Sequence, residues 1–333
     1  MPEQNTPKLL ISSSTNLRPF LEYFEWKKIN WITVAQQCGL PEDILDSECW
    51  LPSQHLMNFI QKMVTLYGPS IVVEAGNQVS LSQLLPELDE ALNTYLTLEE
   101  GVHVLMEKMP SLSNHVIIWP EKINDNWMLC HRSAYRPSTL YYEQTEWFRT
   151  YALVAFCRRF LGIHWQPDLT WMSCSEHLAK GWAPTYYHNN IKYQQPFGAI
   201  SLPVSEDFIP MKQTERTQCW IETISALAQT YAALPCFNVD WFANLTGTTS
   251  RTMQRRLQQH DTSFRELRDN ARANKARLLL LHTDLAVQDI AWRCGYNDLA
   301  NFNRAFKSWM SMTAPQYRRQ NVVKTSIQHP SGS

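Results

Sequence analysis

The feature that most constrains this chain lies between Asn238 and Arg319, where a short helix, a glycine-containing turn and a second amphipathic helix occur twice, about 50 residues apart. In the second copy Val287, Ile290, Ala291 and Cys294 recur at helical spacing and Gly295 ends the run. After Tyr296, Asn297 and Asp298 the apolar positions resume at Leu299, Phe302, Phe306 and Trp309, one stripe of a helix with about 3.6 residues per turn. The opposite face offers Ala300, Arg304 and Lys307, flanked by Asn301 and Asn303, a mixture of amide and basic groups suited to base edges and phosphates. The first copy runs through Val239, Phe242 and Ala243, then Thr246, Gly247 and Thr248, then Met253 and Leu257. Thr249 stands where an N-cap is needed. Arg251 and Arg255 lie opposite the Met253 and Leu257 stripe, with Gln254 and Gln258 beside them.

Between the copies, 264–281 reads as one long basic helix, with Leu267, Ala271, Leu278 and Leu281 inward and Arg265, Arg268, Arg272 and Arg277 around the rest. At 1.5 Å per residue it spans about 27 Å, so two helices held at its ends could enter successive major grooves, which repeat every ~34 Å. A single arginine-bearing helix is commonly just a solvated face. Two of the same construction point to double-stranded DNA.

Charge is divided in the same sense. From Phe237 onward there are 14 basic against 7 acidic residues, whereas the remainder has 16 against 24. The basic portion suits phosphates and salt-dependent binding; the acidic portion must do something else.

This C-terminal stretch resembles the AraC-type bacterial transcription regulators, through SRTMQRRLQQHDTSFREL at 250–267, DIAWRCGYNDLANFNRAFKSW at 289–309 and TAPQYR at 313–318. QRRL with TSFREL resembles most the branch containing ornithine- and arginine-utilisation regulators. Two departures stand out: Ser311 occupies a position usually held by glycine, and Ala314-Pro315 shifts the usual Thr-Pro by one residue. The resemblance implies a sequence-specific transcription regulator, an activator by the commoner outcome, that meets RNA polymerase and forms a homodimer through its N-terminal domain.

A chain of 333 residues with 44% hydrophobic and 12% aromatic content has material for about two packed domains. The start of the chain lacks a basic region followed by a long apolar run, and nowhere do about 18 apolar residues follow one another. A cytoplasmic protein with no membrane partner is the expectation. Helical patterns cover 17–26, 32–38 with Gly39 as the stop, 52–67 with Pro52 at the first helical position and Gly68 as the stop, then 81–94, 97–109 and 144–161. Strand-like runs fall at 115–119, 127–135, 169–174 and 199–204. The fold class expected is thus an α+β N-terminal sensor domain followed by an all-α domain with two helix-turn-helix units joined by a long helix. The divisions are 15–211 for sensing and dimerisation, 212–218 as linker, 219–320 for DNA binding and 321–333 as a flexible tail. A helix over 220–234, ended by Pro235, opens the second domain.

Residues 17–210 resemble the arabinose-binding-type sensor domain of the ornithine-regulator branch, judged by WLPSQHLMNFIQ at 50–61 and by the order of helices and strands. That implies a small-molecule effector without naming it. Within the segment His131, Arg132, Tyr135, Arg136, Tyr141 and Tyr142 could line a pocket, with Arg132 or Arg136 gripping an effector carboxylate; alternatively they finish a strand and cover the core. Tyr186, Tyr187 and His188 allow a similar reading, or a solvated loop.

The eight cysteines have no Cys-x-x-Cys or zinc-like spacing, which points to free, buried thiols, with a redox sensor as the alternative reading. His103 and His115 are isolated and read as hydrogen-bonded residues, so no metal and no cofactor are expected. There is no phosphate loop, metal-ligand run or Gly-x-Ser-x-Gly elbow, and the chain does not read as an enzyme. The alternative to an effector-controlled regulator is a ligand-free one whose N-terminal domain only dimerises or binds a partner protein.

Overall fold

The structure, a computed structural model, describes residues 9–41, 44, 48–94, 97–139, 142–179, 190–211 and 219–327. The chain divides into two compact units, Met1–Gln218 and Cys219–Ser333.

The first unit is α+β. Strand β1 (Ile11–Ser13) pairs antiparallel with β2 (Trp50–Pro52). Around them lie α1 (Arg18–Trp26), α2 (Ile32–Gln37), α3 (Ser53–Tyr67), α4 (Ser70–Asn77), α5 (Leu81–Leu84), α6 (Pro86–Leu92) and α7 (Leu98–Lys108). Glycine stops act as expected after α2 and α3, with Gly39 at φ +71 and Gly68 at φ +88. Pro52 does not start α3: it pairs with Ile11 at the end of β2, and the helix begins one residue later. The continuous helix expected over 81–94 is cut in two, because Pro86 has no N–H to give and holds Leu85 at φ −149, ψ 79. Helix α4 falls outside every expected helical run.

The main sheet contains β3 (Val116–Ile123), β4 (Asn126–Ser133), β5 (Leu169–Trp171), β6 (Asn190–Lys192) and β7 (Gly198–Ser201), in the order β3-β4-β7-β5-β6. All neighbours are antiparallel except β5 with β6. Asn124 and Asp125 join β3 to β4 with φ of 48° and 65°, the left-handed pair that matches the twist of a two-residue hairpin. Helix α8 (Tyr142–Leu161) is buried along Trp147, Phe148, Tyr151, Val154 and Phe156, and a short helix α9 (Glu176–Ala179) follows β5. Side chains alternate across the sheet. His131 meets Thr150 of α8, whereas its neighbour Cys130 joins Met128 and Ala199 in a cluster edged by Trp119, Trp171 and Phe197.

The second unit is helical: α10 (Trp220–Tyr231), α11 (Val239–Leu245), α12 (Ser250–Gln259), α13 (Phe264–His282), α14 (Val287–Arg293), α15 (Leu299–Met310) and α16 (Ala314–Ile327). Helix α13 is buried on two opposite faces in its two halves. Leu267 and Ala271 are covered in the first half, Ala276 and Leu280 in the second; nine residues at ~100° each turn the stripe by about 180° between Leu267 and Ala276. Leu278, expected to point inward on a single stripe, is therefore 58% exposed. Helix α16 starts at Ala314 with Pro315 in its first turn, and Thr313 exchanges hydrogen bonds with Gln316 at its entrance. It continues through Ile327, into the stretch read from sequence as tail. The expected linker at 212–218 lies outside the described residues.

Five cysteines are buried, but Cys219 and Cys236 are exposed, so burial does not hold for every thiol. Cys219 stands at the entrance of α10, where its backbone N–H is taken by Glu222; Cys236 lies beyond the end of that helix. Among the described residues no helix is long and apolar enough to cross a membrane, and no group of three or more His, Cys, Asp or Glu could hold a metal.

Candidate nucleic-acid interface

Each helix-turn-helix is built by a cap, a buried stripe and a left-handed turn. In the first, Asn238 caps α11 by accepting from Trp241 N–H at 2.9 Å, and Thr249 caps α12 by accepting from Thr252 N–H at 3.2 Å. Gly247 turns the chain at φ +67. Met253 and Leu257 are fully buried, and Phe237 stacks on Phe264 at 5.2 Å and leans on Phe242 at 5.0 Å. With that face committed, Arg251, Gln254, Arg255 and Gln258 are all exposed.

The second copy repeats the plan. Ile290, Ala291, Cys294, Phe302, Phe306 and Ala314 form its core, where burial pushes the Cys294 thiol up to about 12. Gly295 turns the chain at φ +80, and Asp298 caps α15 by accepting from Asn301 N–H at 2.7 Å. Ala300, Asn301, Asn303, Arg304 and Lys307 are exposed. Asn301 also donates its side-chain amide to Asp298 and accepts from Arg304, so cap, amide and guanidinium form one chain of hydrogen bonds along the helix. At the far end Ser311 sits at φ 57, ψ 13. The left-handed site that glycine usually fills is here filled by serine.

The basic side chains divide into two groups. Among the described residues Arg251, Arg255 and Lys307 have no ion-pair partner. Those of the connecting helix are largely occupied: Arg268 pairs with Asp269 at 3.0 Å, and Arg277 donates to Tyr317 Oη at 3.1 Å. Arg272 donates to the Ala232 carbonyl at 2.9 Å and lies 5.1 Å over the Tyr296 ring. It thus ties the end of α10 to the turn of the second helix-turn-helix. Arg318 similarly holds the carbonyls of Leu280, Thr283 and Leu285. Arg251, Arg255 and Lys307 on α12 and α15 are thus open to an anion, whereas on the connecting helix Arg265, 84% exposed in its side chain, lies 3.7 Å from Asp269, which it shares with Arg268.

In the first unit the residues read as a pocket do not all converge. His131 is buried; its Nε2 lies 3.2 Å from Thr150 Oγ1, and its Nδ1 is 3.4 Å from Arg149 Nε. Thr150 gives its hydroxyl proton to the Glu146 carbonyl at 3.0 Å. His131 is then the donor on Nε2 and keeps a lone pair on Nδ1 for Arg149. Burial, and secondarily the charge of Arg149, hold its pKa well below the usual imidazole value. Tyr142 is buried, with the Arg149 guanidinium 5.4 Å from its ring. Arg132 points the other way, as strand alternation requires, over Trp119 at 5.9 Å. Tyr135 meets the His115 ring edge-on at 5.3 Å, its phenol pushed up to about 12 by burial, and Arg136 is exposed in the turn. Tyr141, Tyr186, Tyr187 and His188 lie outside the described residues. His131 and Tyr142 meet around Arg149, a residue that the sequence reading does not single out. Its signal is the run Gln144, Glu146, Arg149, Thr150 in an otherwise apolar, aromatic helix.

A family model described as "Helix-turn-helix domain" matches residues 242–320. Over 70 residues the chain is 40% identical to an uncharacterized HTH-type transcriptional regulator of Mycobacterium tuberculosis, covering 21% of this chain and 20% of that one. Over 71 residues it is 34% identical to the ornithine utilization regulator of Pseudomonas aeruginosa, covering 21% of each. Over 85 residues it is 39% identical to the HTH-type transcriptional activator RhaS of an Enterobacter species, covering 24% of this chain and 30% of that one. The matched segment thus spans only about a fifth of the length of the first two. Among solved structures, the DNA-binding domain of AdpA in complex with a target DNA is 22% identical and covers 33% of this chain and 95% of that one, with a TM-score of 0.28. The transcriptional regulator CdpR of Pseudomonas aeruginosa is 19% identical and covers 92% and 98%, with a TM-score of 0.38. The C-terminal unit carries a double helix-turn-helix domain of the AraC type.

Proposed function

We propose that the protein is a sequence-specific DNA-binding transcription regulator, an activator controlled by a small-molecule effector bound within residues 15–211. One observation carries the reading: α12 and α15 bury matching apolar stripes and leave matching amide and basic faces exposed at the two ends of a shared helix. With 19 residues, α13 is about 28 Å long, close to the ~34 Å repeat of successive major grooves. Arg255 and Lys307 meet phosphates and fix the register, while Arg251, Gln254, Asn301, Asn303 and Arg304 face base edges. The naming of the aligned relatives as transcriptional regulators supports the same reading.

Regulation requires that the effector bind one state of the protein more tightly than another. Homodimerisation through the first unit, action in the cytoplasm and contact with RNA polymerase complete the proposal. The test is a gel mobility shift of the purified protein on DNA from upstream of its own gene, at two salt concentrations and against unrelated DNA. Steep weakening with salt together with a preference for the upstream sequence is the expected result. Binding that is absent, or indifferent to sequence, removes the reading.

A further inference from the structure

Arg149 projects from α8 into the interior of the first unit, half-buried, and among the described residues its buried Nη2 has no hydrogen-bond acceptor. Among the described residues no carboxylate forms an ion pair with it. The nearest acid along the helix, Glu146, is fully buried but already occupied. Its Oε1 accepts from Ser173 N–H at 2.8 Å and Ser173 Oγ at 2.5 Å, and its Oε2 accepts from Cys174 N–H at 3.0 Å. The other described neighbours supply no negative charge. His131 is neutral and offers Nε only a long 3.4 Å contact, and Tyr142 presents a ring. A guanidinium cannot shed its proton, so the buried Nη2 favours an anionic acceptor.

We propose that Arg149 is the residue that grips the effector, and that the effector is a small monocarboxylate. The inference rests on reading the first unit as a sensor and adds to that reading the chemical class of its ligand. A single guanidinium with no ion-pair partner among the described residues calls for a ligand with one negative charge. Nη2 is the nitrogen shared by the side-on and end-on forks through which arginine takes a carboxylate with two parallel hydrogen bonds, and it is the one left without an acceptor. A carboxylate arriving side-on replaces the long contact between Nε and His131. His131 and Tyr142, two members of the pocket read from sequence, flank this position. Arg132 and Arg136, the other cations of that set, are exposed and have no place in it. Phosphate is the poorer match, because a dianion would leave charge uncompensated beside a neutral imidazole.

The experiment titrates the full chain, without DNA, with propionate and benzoate, with propionamide and benzamide, and with inorganic phosphate, following thermal unfolding and binding heat. Either carboxylate should raise the unfolding temperature saturably, and the amides, of the same shape without the charge, should not. Arg149→Met should abolish the response, and Arg149→Lys, which keeps the charge but lacks the fork, should weaken it about tenfold or more. If circular dichroism shows Arg149→Met unfolded, Arg149→Lys carries the comparison. No saturable response to either carboxylate, an equal response to the amides, a response to phosphate alone, or undiminished affinity in Arg149→Lys overturns the proposal. Since DNA takes no part, a failed mobility shift would remove the regulator reading and leave a positive titration standing. A failed titration beside an intact mobility shift would remove only this site.

Discussion

Gly295 packs against the backbone of Ala233 so closely that a β-carbon on it would stand 2.5 Å from the Ala233 carbonyl oxygen. Two requirements fall on one residue, since Gly295 is also at φ +80. The preceding carbonyl, of Ala232, is held by Arg272, whose guanidinium covers the neighbouring Tyr296. The turn of the second helix-turn-helix is thereby fastened to the end of α10 and to the connecting helix. Gly295→Ala should destabilise the second unit by about 2–4 kcal/mol, because backbone, not a flexible side chain, blocks the new atom. At Gly247, φ is +67 and nothing among the described residues lies within 4 Å of the place a β-carbon would take, so Gly247→Ala should cost only the left-handed penalty of about 1–2 kcal/mol. Urea unfolding of both variants checks the ordering; equal losses would mean that the approach to Ala233 is not what fixes the turn.

Much of the second unit is legible in the sequence because its rules are local. Thr249 caps where the sequence places it, and the Met253/Leu257 and Phe302/Phe306 stripes are buried as periodicity requires; Asp298, read as a turn residue, proves to cap α15. Periodicity misplaces Leu278 because the stripe of α13 changes sides, a tertiary fact that no single-helix pattern contains. In the first unit Pro86 breaks a helix that apolar spacing alone joins. Arg149 escapes a sequence reading because its significance comes from what surrounds it, a neutral histidine and an occupied carboxylate, brought together from β4, β5 and α8.

Ser311 adopts the left-handed conformation at the end of α15, with its N–H bonded to the Lys307 carbonyl at 2.9 Å. A β-carbon there is strained by about 1–2 kcal/mol, and glycine's larger unfolded-state entropy returns part of that. Ser311→Gly should therefore stabilise the second unit by about 0.5–1 kcal/mol. A higher urea midpoint with unchanged slope is the expected signature. A lower midpoint would show that the hydroxyl contributes more than the backbone strain removes.

Two histidines, His131 buried and His55 half-buried, make the first unit sensitive to acid. His131 has its pKa lowered by burial and by the charge of Arg149, and His55 has its pKa lowered chiefly by burial. The unfolded chain takes up protons at these positions near the usual 6.5, while the folded chain resists until lower pH. Below 6.5 the unfolded state thus binds more protons, and stability present at neutral pH is lost as pH falls, by at most about 1.4 kcal/mol per pH unit for each histidine. Unfolding free energies measured from pH 7.5 down to 5 should decline, and the His131 ring resonances should not titrate in the native state above pH 6. A flat profile together with a native midpoint near 6.5 for His131 would contradict the burial of its ring.

Arg304 and Lys307 lie on the same exposed face of α15, yet their surroundings set them different tasks. Arg304 is oriented through Asn301 back to the cap at Asp298, whereas Lys307 has no ion-pair partner among the described residues. A guanidinium held in one direction suits a base edge; an unrestrained ammonium suits a phosphate. Arg304→Ala should weaken binding to the preferred sequence by about 1–3 kcal/mol and relax discrimination at one base pair. Lys307→Ala should weaken binding nearly equally on all sequences and reduce the salt slope by about one unit. Binding measured on the upstream DNA and on single-base variants, each at several salt concentrations, separates the roles. If Arg304→Ala lost affinity uniformly and lowered the slope as Lys307→Ala does, Arg304 would be a phosphate contact. Base reading by α15 would then fall to Asn301 and Asn303.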